Sequence, residues 1–140
     1  MEELAKRTGT YGEAAIVMDA GTGSILYAKN IDEHEYPASI TKVMTALVTL
    51  KNCSLDETVT VGEECQDIES GSSVCMIEPG DQLTVEQLLY GLLLNSGNDA
   101  AMSLAVYVGG TVDNFCQYDE RRGGISWSNR DTFCQSAWSS

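Results

Sequence analysis

The chain has 140 residues, enough for one domain with a sizeable core, and its 43% apolar content excludes a disordered class. The formal net charge of −13 excludes a nucleic-acid reader, which needs a basic stripe for phosphates, and works against attraction to an anionic membrane surface. Residues 1–117 hold 18 Asp and Glu against 5 Lys and Arg, whereas residues 118–140 hold 3 of each sign and both tryptophans, Trp127 and Trp138. Such a composition shift marks a second module or a foreign tail.

No run of about 18 apolar residues is present for a membrane span, and Met1-Glu-Glu-Leu-Ala-Lys-Arg7 lacks the apolar core of a secretory leader. Taken literally, the chain is cytoplasmic. The five cysteines, Cys53, Cys65, Cys75, Cys116 and Cys134, are odd in number, widely spaced and without a Cys-x-x-Cys pair, so buried or free thiols are expected. The single histidine, His34, lies in an acidic loop and is expected to be solvated; a metal site has too few candidate ligands.

In chain order, the apolar run 14–20, the Gly-rich turn Gly21-Thr-Gly-Ser24 and the run 25–30 read as a β-hairpin, its first strand apolar enough to be covered on both faces. Pro37 opens a helix in which Ile40, Val43, Met44, Leu47 and Val48 recur at the spacing of one buried face; it should stop near Lys51-Asn52. Ser39 and Lys42 lie at the edge of that stripe. Thr58-Val-Thr-Val61 alternates like a short strand, residues 62–82 read as an acidic loop with small elements, and Pro79-Gly80 is a turn. Thr84-Val-Glu-Gln87 fits a capping box for a helix running to Leu94. Asn95-Ser-Gly-Asn98 interrupts it, and a second apolar helix follows from Asp99 to about Val108, ended by Gly109-Gly110. Both are expected to be core helices packed through a tight joint. A third helix starts at Thr111.

Two short motifs carry chemistry. In Ser39-Ile-Thr-Lys42 the serine and lysine share a helix face, and a lysine neutral enough to act as a base can take the proton of the hydroxyl beside it. Alone the pattern is weak: 13 serines and 4 lysines supply roughly 0.4 such pairs by chance, and a capping serine with a solvated lysine fits as well. Ser96-Gly97-Asn98 alone is an ordinary interhelix turn. Together, with Ser-x-x-Lys opening a helix and Ser-x-Asn on a tight joint some fifty residues later, they specify acyl transfer.

The runs Ala15-Ile-Val-Met-Asp-Ala-Gly-Thr-Gly-Ser-Ile-Leu-Tyr-Ala-Lys-Asn30, Tyr36-Pro-Ala-Ser-Ile-Thr-Lys-Val-Met-Thr-Ala-Leu47 and Leu88-Leu-Tyr-Gly-Leu-Leu-Leu-Asn-Ser-Gly-Asn-Asp-Ala-Ala101 closely resemble the N-terminal part of the serine D-alanyl-D-alanine carboxypeptidases, the low-molecular-mass penicillin-binding proteins. The resemblance extends over residues 14–117. It implies an α/β (α+β) chain with a truncated β-lactamase/DD-peptidase-like fold, an N-terminal β-hairpin plus a helical subdomain, most of the sheet missing. It implies Ser39 as nucleophile towards the penultimate D-alanine of a cell-wall stem peptide, Lys42 as its base, with a pKa lowered by burial and neighbouring positive charge, and Ser96 as proton relay. Asn98 would hold the substrate amide and help orient Lys42. Stem peptides and β-lactams are the implied ligands, no cofactor is expected, and the cell envelope is the implied location.

The match breaks at the third motif of the family, Lys-Thr-Gly, which the sequence lacks. The expectation is therefore a partial catalytic domain over 1–117 that does not turn over substrate. An inert or non-catalytic binding fragment and a class A β-lactamase-like fragment are the alternatives; Gly97, where the latter usually has Asp, favours the carboxypeptidase. With synonymous codons chosen freely, Asp131-Thr-Phe-Cys-Gln-Ser-Ala-Trp-Ser139 read one nucleotide later gives Thr-His-Phe-Val-Asn-Pro-His-Gly, close to a stretch of the family. Residues 118–140 are accordingly expected to be frameshifted family sequence.

Overall fold

The computed structural model describes residues 11–33 and 38–116. The expectations for His34, for Pro37 as helix opener and for the tail 118–140 lie outside the described residues. The chain divides into two compact units, Met1–Tyr36 and Pro37–Ser140.

The first unit is the hairpin. Strands β1 (Ala15–Met18) and β2 (Ile25–Lys29) pair antiparallel, with Ala15 opposite Lys29 and Val17 opposite Tyr27, and the register shifts between Val17 and Met18. The turn is built by Asp19: its N–H donates to Ser24 O at 2.9 Å, and its Oδ1 accepts from Thr22 N–H at 2.8 Å and Thr22 Oγ1 at 2.7 Å. Those bonds hold the Asp19 carboxyl below its usual range, foremost through the Thr22 hydroxyl. The expected covering of β1 on both faces is not observed: Ile16 and Val17 are each 50% exposed. An uninterrupted apolar strand is the pattern of a sheet buried on both sides.

Among the described residues, the second unit is built on three helices of ten or more residues, with a short helical stretch at 112–116. A single 3₁₀ turn (Ala38–Ile40) leads into α1 (Thr41–Asn52), which stops where its sequence indicates. Its buried face coincides with the expected apolar stripe only at Val48, with Met44 packed against the core. Thr41, Lys42, Thr45, Ala46, Val48 and Thr49 are buried, whereas Ile40, Val43 and Leu47 are exposed. The reason lies in the partner: α1 packs on α3 (Asn98–Gly109), whose inward residues include Ala100, Ala101, Ser103 and Ala105. Small residues on both sides let the backbones approach. Thr49 Oγ1 donates to Thr45 O and Thr41 Oγ1 to Ala38 O, each at 2.8 Å, whereas the buried Thr45 Oγ1 has no hydrogen-bond partner among the described residues.

Strand β3 (Thr58–Thr60) pairs antiparallel with β4 (Gln82–Thr84), which takes the end of the expected loop and the capping Thr84. Between them lie a 3₁₀ turn (Glu63–Gln66) and the turn at Pro79-Gly80, where Gly80 donates its N–H to Val61 O at 2.8 Å. Helix α2 (Val85–Leu94) starts with the expected capping box: Gln87 N–H donates to Thr84 Oγ1 at 3.2 Å and Thr84 N–H to Gln87 Oε1 at 2.8 Å. Its core face is Val85, Leu88, Leu89 and Leu92; Tyr90, Leu93 and Leu94 are exposed, so α2 is one-sided and not wholly buried. Helix α3 is buried continuously from Asn98 to Ala105 and ends at Gly110, whose φ of 75° suits a residue without Cβ. Residues 112–116 are helical, and Phe115 packs on Val48 and Ala105.

Cys53, Cys65 and Cys75 are free thiols, each with its pKa raised chiefly by burial. Cys116 departs from the expectation of free thiols and is disulfide-bonded. Among the described residues, no helix is long and apolar enough to cross a membrane, and no group of three His, Cys, Asp or Glu is placed to hold a metal ion.

Candidate active site

Ser39 sits in the 3₁₀ turn immediately before α1, exposed, and Lys42 in the first turn of α1, only 4% exposed. Ala38, the first residue of that turn, has a left-handed φ of 45°. Ser96 lies between α2 and α3, half-buried. The three side chains meet: Lys42 Nζ donates to Ser39 Oγ at 3.3 Å and to Ser96 Oγ at 3.1 Å, and Ser96 Oγ donates to Ser39 Oγ at 3.0 Å. Two hydroxyls and an amine thus close a triangle between residues 57 apart in sequence.

Burial lowers the Lys42 pKa below its ordinary value. Burial is the cause of that shift. Lowering matters because an ammonium cannot accept the serine proton. An amine held among hydroxyls and poor in water is neutral over a wider pH range and is a stronger candidate base.

Asn98 is the first residue of α3 and is 4% exposed. Its main-chain N–H donates to Ser73 O at 2.8 Å. It is not among the hydrogen-bond partners of Lys42, so the structure brings together Ser39, Lys42 and Ser96 and leaves Asn98 beside them on the joint.

The joint is tight for a reason in its own chain. A Cβ on Gly97 would lie 2.4 Å from Cys75 Sγ and 2.8 Å from Asp99 Oδ1, so glycine is the residue that fits. Ser96 takes a left-handed φ of 54°, a conformation costing about 1–2 kcal/mol for a residue with Cβ. Of the four left-handed non-glycine residues among those described, three (Ala38, Met76 and Ser96) flank the triangle or the loop against it, so backbone strain is concentrated where the chemistry is. Sequence reasoning missed the residues that hold this geometry, Asp99 and Cys75. One signal was available: Asp99 is a charged residue inside an otherwise apolar helix start.

Residues 3–121 match the family described as D-alanyl-D-alanine carboxypeptidase, peptidase S11. The chain is 38% identical over 123 residues to the D-alanyl-D-alanine carboxypeptidase DacC of Escherichia coli, covering 81% of this chain and 31% of that protein. It is 32% identical over 108 residues to DacF of Bacillus subtilis, covering 74% of this chain and 27% of that protein. It thus spans less than a third of the length of these curated relatives. Among solved structures it is similar to the carboxypeptidase DacD of Francisella tularensis, with a TM-score of 0.74 at 32% identity over 84% of this chain and 29% of that one. It is also similar to penicillin-binding protein 6B of E. coli, with a TM-score of 0.73 at 33% identity over 84% of this chain and 40% of that one. The fold is therefore that of part of a penicillin-binding DD-peptidase, and the chain belongs to the peptidase S11 family of D-alanyl-D-alanine carboxypeptidases.

Proposed function

We propose that this chain is the acylating part of a serine-type D-alanyl-D-alanine carboxypeptidase that trims peptidoglycan stem peptides in the cell envelope. The carrying observation is the triangle of Ser39 Oγ, Lys42 Nζ and Ser96 Oγ, with every side between 3.0 and 3.3 Å. In this reading neutral Lys42 takes the proton from Ser39 Oγ as that oxygen bonds to the carbonyl carbon of the penultimate D-alanine. The tetrahedral oxyanion takes the main-chain N–H of Ser39, and the second donor of the hole would come from the strand that carries Lys-Thr-Gly in the family. Collapse breaks the C–N bond, and the departing amine takes a proton relayed from Lys42 through Ser96. Water then cleaves the ester by the same route in reverse. Asn98 is the residue proposed to hold the substrate amide.

The family's Lys-Thr-Gly motif does not occur in these 140 residues. In this reading residues 1–117 are part of the catalytic domain, residues 118–140 are frameshifted sequence, and the chain alone acylates slowly without completing turnover. A β-lactam, which acylates the same serine, is the practical probe. After circular dichroism has established that the protein is folded, prolonged incubation with fluorescent penicillin labels the wild type and not Ser39→Ala. A folded wild type that takes no label overturns the reading.

A further inference from the structure

The Asp99 carboxylate takes no part in the proposed acyl transfer, yet it is 2% exposed and its oxygens accept main-chain N–H bonds. Oδ1 accepts from Cys75 N–H at 3.0 Å and from Ala100 N–H at 2.8 Å; Oδ2 accepts from Cys75 N–H at 2.8 Å and from Ile77 N–H at 3.1 Å. The loop answers in the other direction. Val74 O accepts from Asn95 Nδ2 at 2.9 Å, and Ser73 O accepts from Asn98 N–H at 2.8 Å. Residues 73–77 and the joint 95–99 are therefore laced together on both sides of Ser96. The side chain of Cys75 fills the space between them: its Sγ lies 2.4 Å from where a Cβ on Gly97 would stand and 2.8 Å from one on Gly91.

The lacing coincides with strain. Met76, between the two N–H donors, has φ of 61°, and Ser96, between the two donors of the joint, has φ of 54°. Such conformations persist where the surroundings over-determine them. Removing the acceptor from this arrangement frees both segments to relax.

We propose that Asp99 is a positioning residue: by binding the main-chain N–H groups of Cys75 and Ile77, its carboxylate fixes the 95–98 joint in the conformation that sets Ser96 Oγ against Lys42 Nζ. The purpose of that placement rests on the acyl-transfer reading; the placement itself does not.

The test is the titration of Lys42 Nζ, followed by NMR in the lysine-labelled chain, for the wild type and for Asp99→Asn, each with a melting curve. Asparagine keeps the volume but turns an NH₂ group towards main-chain donors. In folded Asp99→Asn the joint loosens, water reaches Lys42, and its midpoint rises towards the ordinary lysine value. A fall in the midpoint, the effect of merely removing a nearby negative charge, overturns the proposal, and so does an unchanged midpoint. Should Asp99→Asn fail to fold, amide exchange in the wild type decides. The N–H groups of Cys75, Ile77, Gly97 and Asn98 exchange with a common opening free energy if loop and joint are one unit; exchange at Cys75 and Ile77 about tenfold or more faster than at Gly97 overturns it. Neither readout uses a substrate. Absence of penicillin labelling would remove the acyl-transfer reading and leave this result standing.

Discussion

The hairpin of residues 15–29 and the helix pair of residues 85–109 are both rich in apolar side chains, but they use them in opposite ways. In the hairpin, Val17 and Leu26 stay half exposed, and order comes from the ladder and the Asp19 turn. In the helix pair, Leu88, Leu92 and Leu104 are at most 1% exposed, and Asn95 Nδ2 and the Asn98 N–H of the joint are each paired with a main-chain carbonyl. A site needs the second kind of region. A hydroxyl can be held within 3.1 Å of a buried amine only if its own backbone cannot relax.

That contrast can be broken by substitution. Leu92→Ala, in the centre of the core, should cost about 2–5 kcal/mol by chemical denaturation, whereas Leu26→Ala, on the half-exposed hairpin, should stay within about 0.5 kcal/mol. Equal losses would mean that the hairpin is as much a part of the cooperative core as α2. Gly97→Ala should cost about 1–3 kcal/mol through overpacking, with part recovered in the double variant that adds Cys75→Ala. Strict additivity of the two would show that the thiol does not set the space at the joint. Thr84→Ala, which removes the capping box at the other end of α2, should cost about 1 kcal/mol in the same measurement.

Lys42 provides the finest test, because its effect changes sign with the viewpoint. Its folded pKa is lowered by burial, so between that value and the ordinary one of 10.5 the unfolded chain binds more protons than the folded chain. Below the folded value the buried ammonium is a fixed cost to stability. As pH rises through the window, that cost is relieved. Lys42→Met should therefore raise the melting temperature at neutral pH, with a gain that shrinks towards alkaline pH. A gain independent of pH would assign the effect to packing and not to charge. The raised thiol pKa values of Cys53, Cys65 and Cys75 pull the other way above about pH 9, so the comparison is made as the difference between the two proteins.

The local features were legible in the sequence. Thr84 and Gln87 announce a capping box within four residues, and the ends of α1 and α3 fall where Asn52 and Gly109-Gly110 suggest. Ser39, Lys42 and Ser96 were legible as a set through the resemblance of their flanking runs to the carboxypeptidase family, each motif being weak alone. Features that depend on distant partners were not. The buried face of α1 is decided by the small residues that α3 presents, so of the apolar stripe Val48 is buried and Met44 packs on the core, while Ile40, Val43 and Leu47 stay outside. Strand β4 depends on a partner distant in sequence, with Val59 paired to Leu83. Asp99 looks like a helix start until the donors it binds, at Cys75 and Ile77, are seen beside it.

The central claim is that Ser39 is the nucleophile activated by Lys42 and Ser96. Its most direct test is peptide mapping by tandem mass spectrometry of the folded protein after prolonged exposure to penicillin. The account predicts one penicilloyl adduct, on the oxygen of Ser39, and its loss in Lys42→Met. An adduct on another residue, or a folded protein that carries none, would contradict it.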